Sequence, residues 1–160
     1  MATLSQVSTE HRERLMRHVD SLPGLAEEVG HTPWPDLSPR LADEHSFLVS
    51  TLIPHMEVVE SGIHQELDRL LSCRLAMEPI EREHVEVRKL IDQLGAYPRK
   101  EGLSGGEAIE LNRVLLKLFS ILKVHLREES MYIPILEHNL DREQVDALVA
   151  SMEHAANVEL

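Results

Sequence analysis

Residues 125–136 read HLREESMYIPIL, and His125 and Glu129 stand four residues apart within an otherwise apolar helical pattern. On a helix such residues lie one above the other, so an imidazole and a carboxylate would face one point inside the protein. An unpaired buried carboxylate is costly, so this arrangement calls for a compensating charge. Ten histidines against a single cysteine make nitrogen and oxygen donors plentiful and thiolate scarce. Imidazole nitrogen with carboxylate oxygen suits iron, manganese or zinc, and the near absence of thiolate argues against soft metals.

Four amphipathic stretches could position these donors. The first carries its stripe at His11, Leu15, His18, Leu22, Leu25 and Val29, with Pro23-Gly24 expected to kink or break it. The segment HTPWPDLSP then reads as a loop. The second stripe is Leu41, His45, Leu48, Leu52, His55, Val59 and Gly62, with a bend expected at Pro54. A connection around Ser72–Ala76 leads to the third, Met77, Ile80, His84, Val87, Ile91 and Leu94, which ends at the Gly95 and Pro98 signals. After the turn GLSGG comes the longest, Leu111, Leu115, Leu118, Leu122, His125, Glu129, Tyr132 and Leu136. A weaker amphipathic stretch from about Asp141 to Asn157 would cap the assembly. Such a pattern predicts an all-α fold: an antiparallel up-and-down four-helix bundle with an extra short C-terminal helix, in one domain spanning 1–160.

Each stripe holds a histidine, so His11, His55, His84 and His125 are expected to converge in the bundle core. A weak internal repeat supports this. EHRERLMRHVDSL resembles EHVEVRKLIDQL, which pairs His11 with His84, and PHMEVVES resembles VHLREES, which pairs His55 with His125. Two hairpins related by a pseudo-twofold would set two His-plus-carboxylate pairs face to face, the geometry of a binuclear metal site. His18 competes with His11 for the first-helix position; the two are about 10.5 Å apart along a helix, too far to share one ion.

Composition narrows the function classes. The net charge of −12 and pI near 5.2, without a basic stripe, argue against nucleic acid as a partner on electrostatic grounds. No run of about 18 apolar residues and no charged-then-apolar leader is present, so a cytoplasmic protein without a membrane partner is expected. The single Cys73 rules out an intramolecular disulfide and a cysteine-built zinc or iron–sulfur site. No G-x-S-x-G, P-loop or dinucleotide fingerprint occurs. Glu81-x-x-His84 is one pair of the kind ferritin-like di-iron proteins use, without a second in the equivalent place.

The order of these motifs, TEHRERL, LIPHMEVVE, EREHVEVRKLI and VHLREESMYIPIL, resembles the hemerythrin-like, or HHE cation-binding, domain over roughly residues 8–138. The resemblance implies a non-haem di-iron centre that binds or senses O2, nitric oxide or peroxide, or responds to iron. It carries His55, His84, His125 and Glu129 over as ligands, with His11 added by repeat symmetry. This chain departs from the family at Val59, where a glutamate is usual, and Glu60 is the nearest carboxylate. A π-bulge near Pro54 or Gly62 would let Glu60 serve. Otherwise one bridge is missing, and the site is mononuclear, a zinc variant, or a metal-free bundle acting as an interaction or regulatory module.

The remaining residues have plainer readings. Tyr132 is expected to pack with its hydroxyl satisfied, and Trp34 to lay its ring over the bundle end. His45 is expected at the core edge, and His64 with Asp68 in a solvated i,i+4 pair. His31, His138 and His154 carry no expected role.

Overall fold

The computed structural model describes residues 2–73 and 76–157, and these are helical apart from short connections, with no strand among them. The elements are α1 (Leu4–Glu28), α2 (Trp34–Phe47), a π-helical turn π1 (Leu48–Leu52), α3 (Ile53–Val58), a second π-helical turn π2 (Val59–Ile63), α4 (His64–Leu70), α5 (Glu78–Ala96), a 3-10 turn (Tyr97–Arg99), α6 (Gly105–Asn139) and α7 (Arg142–Asn157). From 34 to 70 the backbone stays helical, so α2 through α4 form one rod with two widened turns. No helix among the described residues is long and apolar enough to cross a membrane. Part of the expected connection at 72–76 lies outside the described residues.

Local chemistry sets the helix starts, two of them earlier than the apolar pattern indicates. Thr3 Oγ1 accepts from the Gln6 amide at 3.1 Å while Gln6 Oε1 accepts from the Thr3 amide at 2.9 Å, a capping box that starts α1 two turns before His11. Ser104 and Glu107 repeat the device at α6, and Asp141 with Gln144 at α7. The expected loop HTPWPDLSP is corrected: α2 begins at Trp34, because Pro35 sits in the first turn, where its missing N–H has no helical partner to lose. The expected break at Pro23-Gly24 is also absent, as α1 continues through both residues.

At Pro54 the chain answers the missing amide with π1, in which the Ile53 N–H reaches back five residues to the Leu48 carbonyl. The second widened turn, π2, closes with the His64 N–H on the Val59 carbonyl. Its Gly62 leaves room for α7: a Cβ there would lie 2.8 Å from Leu148 Cδ2, so that methyl group would have to shift. Gly95 plays the same part beneath His45, whose ring occupies the place of a Cβ, and this seats His45 at the core edge.

The apolar interior falls into two clusters. One joins Leu15, Leu22, Leu41, Leu52, Ile91, Leu94, Leu115 and Leu118 across all four rods. The other joins Leu4, Val7, Val59, Ile63, Met77, Ile133, Leu136, Leu148 and Met152. Burial of aliphatic side chains at roughly 1.5–3 kcal/mol each provides the main drive for this packing. Between the clusters, on every rod, sit the buried histidines. Along α1 the order is Leu4 and Val7, then His11, then Leu15; along α6 it is Leu122, then His125 and Glu129, then Ile133. Trp34 packs against the first cluster with its indole N–H on the Lys100 carbonyl at 2.8 Å, and Tyr132 packs against the second.

Candidate metal centre

Five histidines and one glutamate form the layer between the clusters: His11, His55, His64, His84, His125 and Glu129, each no more than 5% exposed. Among the sequence candidates, His11, His55, His84, His125 and Glu129 are brought together. His11 stacks on His55 with ring centroids 4.6 Å apart, and His84 meets His125 edge to face at 4.4 Å. Each contact joins the two rods of one expected hairpin, but the interplanar angles of 19° and 76° leave the repeat only approximate.

Glu129 links the two halves. Its Oε2 lies 3.0 Å from His55 Nε2 and 3.9 Å from His125 Nε2. His84 Nε2 and His125 Nε2 approach to 2.8 Å, so two imidazole nitrogens with a single proton between them face the same interior point as Glu129. His11 Nδ1 and Nε2, His64 Nδ1 and His125 Nδ1 are buried without any hydrogen-bond partner. Unpaired buried polar atoms are rare in native proteins, and their concentration in one layer needs an explanation.

Electrostatics favour the metal-ready protonation states. Burial lowers His11 to about 4, aided by His55, and lowers His125 to about 4, aided by His84. Burial also outweighs the pull of nearby carboxylates at His84 and His64. For Glu129 burial pushes upward, but His55, His125 and His11 together prevail and hold it at about 2. Near neutral pH His11 and His125 are therefore neutral imidazoles in the same layer as an ionised Glu129. Neutral imidazole and carboxylate are the ligating forms.

The two other candidates, Glu60 and His18, do not join the layer. Glu60 does not stand beside His55. It projects from π2 toward α5, where its Oε1 lies 2.6 Å from His84 Nδ1 and accepts from Arg88 Nη1 at 3.0 Å. Arg88 and His84 hold its carboxyl below the usual range against the upward push of burial. Val59, the position expected to break the pattern, turns into the second apolar cluster. His18 is away from the layer: its Nδ1 pairs with Glu44 Oε2 at 3.2 Å and its ring stacks on Phe47.

His64 is the residue the spacing missed. Instead of pairing with Asp68 in solvent, it is buried, stacks on His84 at 5.4 Å and lies 3.6 Å from Glu81 through Nδ1. Asp68 accepts the Met77 amide at 2.9 Å and helps start α5. The H-x-x-x-x-E-x-x-x-H run from His55 through Glu60 to His64 was the available signal, legible only if a widened turn lies within it. His31, His138 and His154 are exposed.

The back faces of three imidazoles meet carboxylates: His84 with Glu60, His64 with Glu81, and His125 with Glu83, whose Oε2 is 3.9 Å from Nδ1. Glu83, His125 and Glu128 also present donor atoms that all lie within 4.8 Å of one another. Of these only Glu60 lies within hydrogen-bond distance, 2.6 Å from His84 Nδ1, and a carboxylate so placed fixes the tautomer and raises basicity toward a metal. The donor set thus fits a divalent transition ion. No family model matches the chain, and no curated protein or solved structure matches it.

Proposed function

We propose that the histidine layer is a non-haem iron centre of the hemerythrin-like type. Two ions would be held, one by His11 and His55 and one by His84 and His125, with Glu129 and His64 as further donors of the layer. The observation that carries this reading is His11: a buried neutral imidazole with both nitrogens unpaired, stacked on the partner of a buried ionised carboxylate. A bound cation would take one nitrogen of His11 and balance the Glu129 carboxylate at once.

The order of apolar cluster, histidine and apolar cluster along the rods reverses from each rod to the next, which supports an up-and-down antiparallel bundle as the scaffold. Bound iron would supply redox chemistry toward O2, nitric oxide or peroxide. The protein's part is to keep the layer dry and its donors oriented. Leu126, Met56, Ile63 and Ile133 close the layer from both clusters and exclude water. Glu60, fixed by Arg88, accepts the Nδ1 proton of His84 and so turns the Nε2 lone pair inward. The protein acts in the cytoplasm on a small gaseous or peroxide ligand.

One observation favours a second reading. Arg88 already neutralises Glu60, so Glu129 is the remaining uncompensated carboxylate of the layer, and a single iron or zinc would balance it. Elemental analysis of protein from iron-supplemented cells, with an absorption spectrum in air, tests both. Close to two irons per chain with near-ultraviolet charge-transfer absorption supports the binuclear centre. One ion supports the second reading. No metal, with stability unchanged by chelator, overturns both and leaves an interaction module.

A further inference from the structure

We propose that Glu83, Glu128 and the Nδ1 atom of His125 form a second divalent-cation site at the rim of the histidine layer, competing with the inner centre for the same imidazole. Glu83 lies on α5, and Glu128 is three residues after His125 on α6. The three donors lie within 4.8 Å of one another, a spread that small side-chain rotations close around one ion. Coordination of borderline metals by nitrogen and oxygen takes place at about 2.0–2.2 Å.

The buried member is what points to a ligand. His125 is 3% exposed, and its Nδ1 has no hydrogen-bond partner although it faces Glu83 at 3.9 Å. The two carboxylates stand close enough to repel one another, and a cation bound between them would relieve that repulsion. Glu83 is 47% exposed, so the outer face is open for water to complete the coordination shell. One nitrogen and two carboxylates suit Mn2+, Fe2+, Co2+ or Zn2+ better than Ca2+, which takes six to eight oxygens.

Sharing follows from the chemistry of imidazole. A neutral ring has one lone pair and one N–H. With the lone pair on Nδ1 the ring binds the rim cation and carries its proton on Nε2, facing His84 and Glu129. With the lone pair on Nε2 it serves the inner centre and directs the Nδ1 proton at Glu83. His125 therefore cannot serve both as a neutral ligand. The rim site takes a cation from solution, and a tautomer change at one ring returns His125 to the inner site. This competition rests on the inner centre proposed above; the rim site itself does not.

The test uses the full chain stripped of metal and titrated with Zn2+. Comparison is with Glu83→Gln/Glu128→Gln, which removes rim oxygens, and with Glu129→Gln, which weakens the inner centre. Because the two sites share His125, stoichiometry is compared with the inner centre weakened: Glu129→Gln should keep one Zn2+ equivalent that adding Glu83→Gln and Glu128→Gln removes. In Glu129→Gln, nitrogen NMR should show His125 metallated at Nδ1 and protonated at Nε2. Equal Zn2+ binding with and without the rim substitutions in Glu129→Gln, or metallation at Nε2 there, overturns the proposal. An isotherm unchanged from the native chain to Glu129→Gln, with Nδ1 metallation in both, would instead sink the inner centre and keep the rim. If Glu129→Gln does not fold, the native chain titrated with Zn2+ should show Nδ1 metallation of His125 that the rim substitutions abolish, and its absence overturns the proposal.

Discussion

Acidification of the metal-free protein should destabilise it well above the range where carboxylates titrate. His11 and His125 are held at about 4 in the fold, chiefly by burial, against 6.5 as the ordinary value. The folded value lies below the unfolded one, so as pH falls through 6.5 the unfolded chain takes up protons that the folded chain refuses. Stability is full above 6.5, falls toward 4, and then levels off. At about pH 5 each histidine costs about 2 kcal/mol relative to about pH 8, or about 4 kcal/mol for the pair. That is a large share of the roughly 5–15 kcal/mol stability of a domain. Glu129 behaves separately: its folded value of about 2 lies below 4.5, so its contribution is present above 4.5 and fades only as pH falls toward 2. Urea denaturation of chelator-stripped protein at the two pH values measures the effect. His11→Phe, which keeps a ring against His55 but cannot titrate, should remove about half of the difference. Equal stability at both pH values, or an unaltered difference in His11→Phe, would refute the assignment of these rings as buried and neutral.

Glu60→Leu removes the acceptor behind His84 Nδ1 and should weaken metal binding about 10–100-fold, read by competition with a chromogenic chelator; unchanged affinity would show that this carboxylate does not orient the ring. Glu129→Ala should abolish high-affinity binding and leave His55 without its 3.0 Å partner, measured as metal content after dialysis. Gly62→Val pushes a side chain into Leu148 and should cost about 1–3 kcal/mol, with amide exchange accelerating first in α7. Leu118→Ala empties a fully buried position in the first apolar cluster and should cost about 2–5 kcal/mol, seen in the urea midpoint.

Local periodicity was enough to place His11, His55, His84, His125 and Glu129 on apolar stripes, because a helix of 3.6 residues per turn writes its buried face into neighbouring residues. The same information anticipated four long helical rods, a C-terminal helix and the quiet roles of Trp34 and His45. It could not decide what the second rod does on either side of Pro54. There π1 and π2 each take up an extra residue, and every position beyond them is rotated from where a regular helix would put it. That rotation turns Glu60 toward His84 and Arg88 and brings His64 inside, whereas Val59 stays on the buried stripe it shares with His55. It is tied to packing far along the chain, since π2 accommodates Leu148 of α7 against Gly62. His18 shows the same limit from the other side: its place on a stripe is local, but Glu44 and Phe47 come from another helix and claim it. Side-chain type and helix face are properties of a few adjacent residues, whereas the partner of a buried polar group depends on which distant elements arrive beside it.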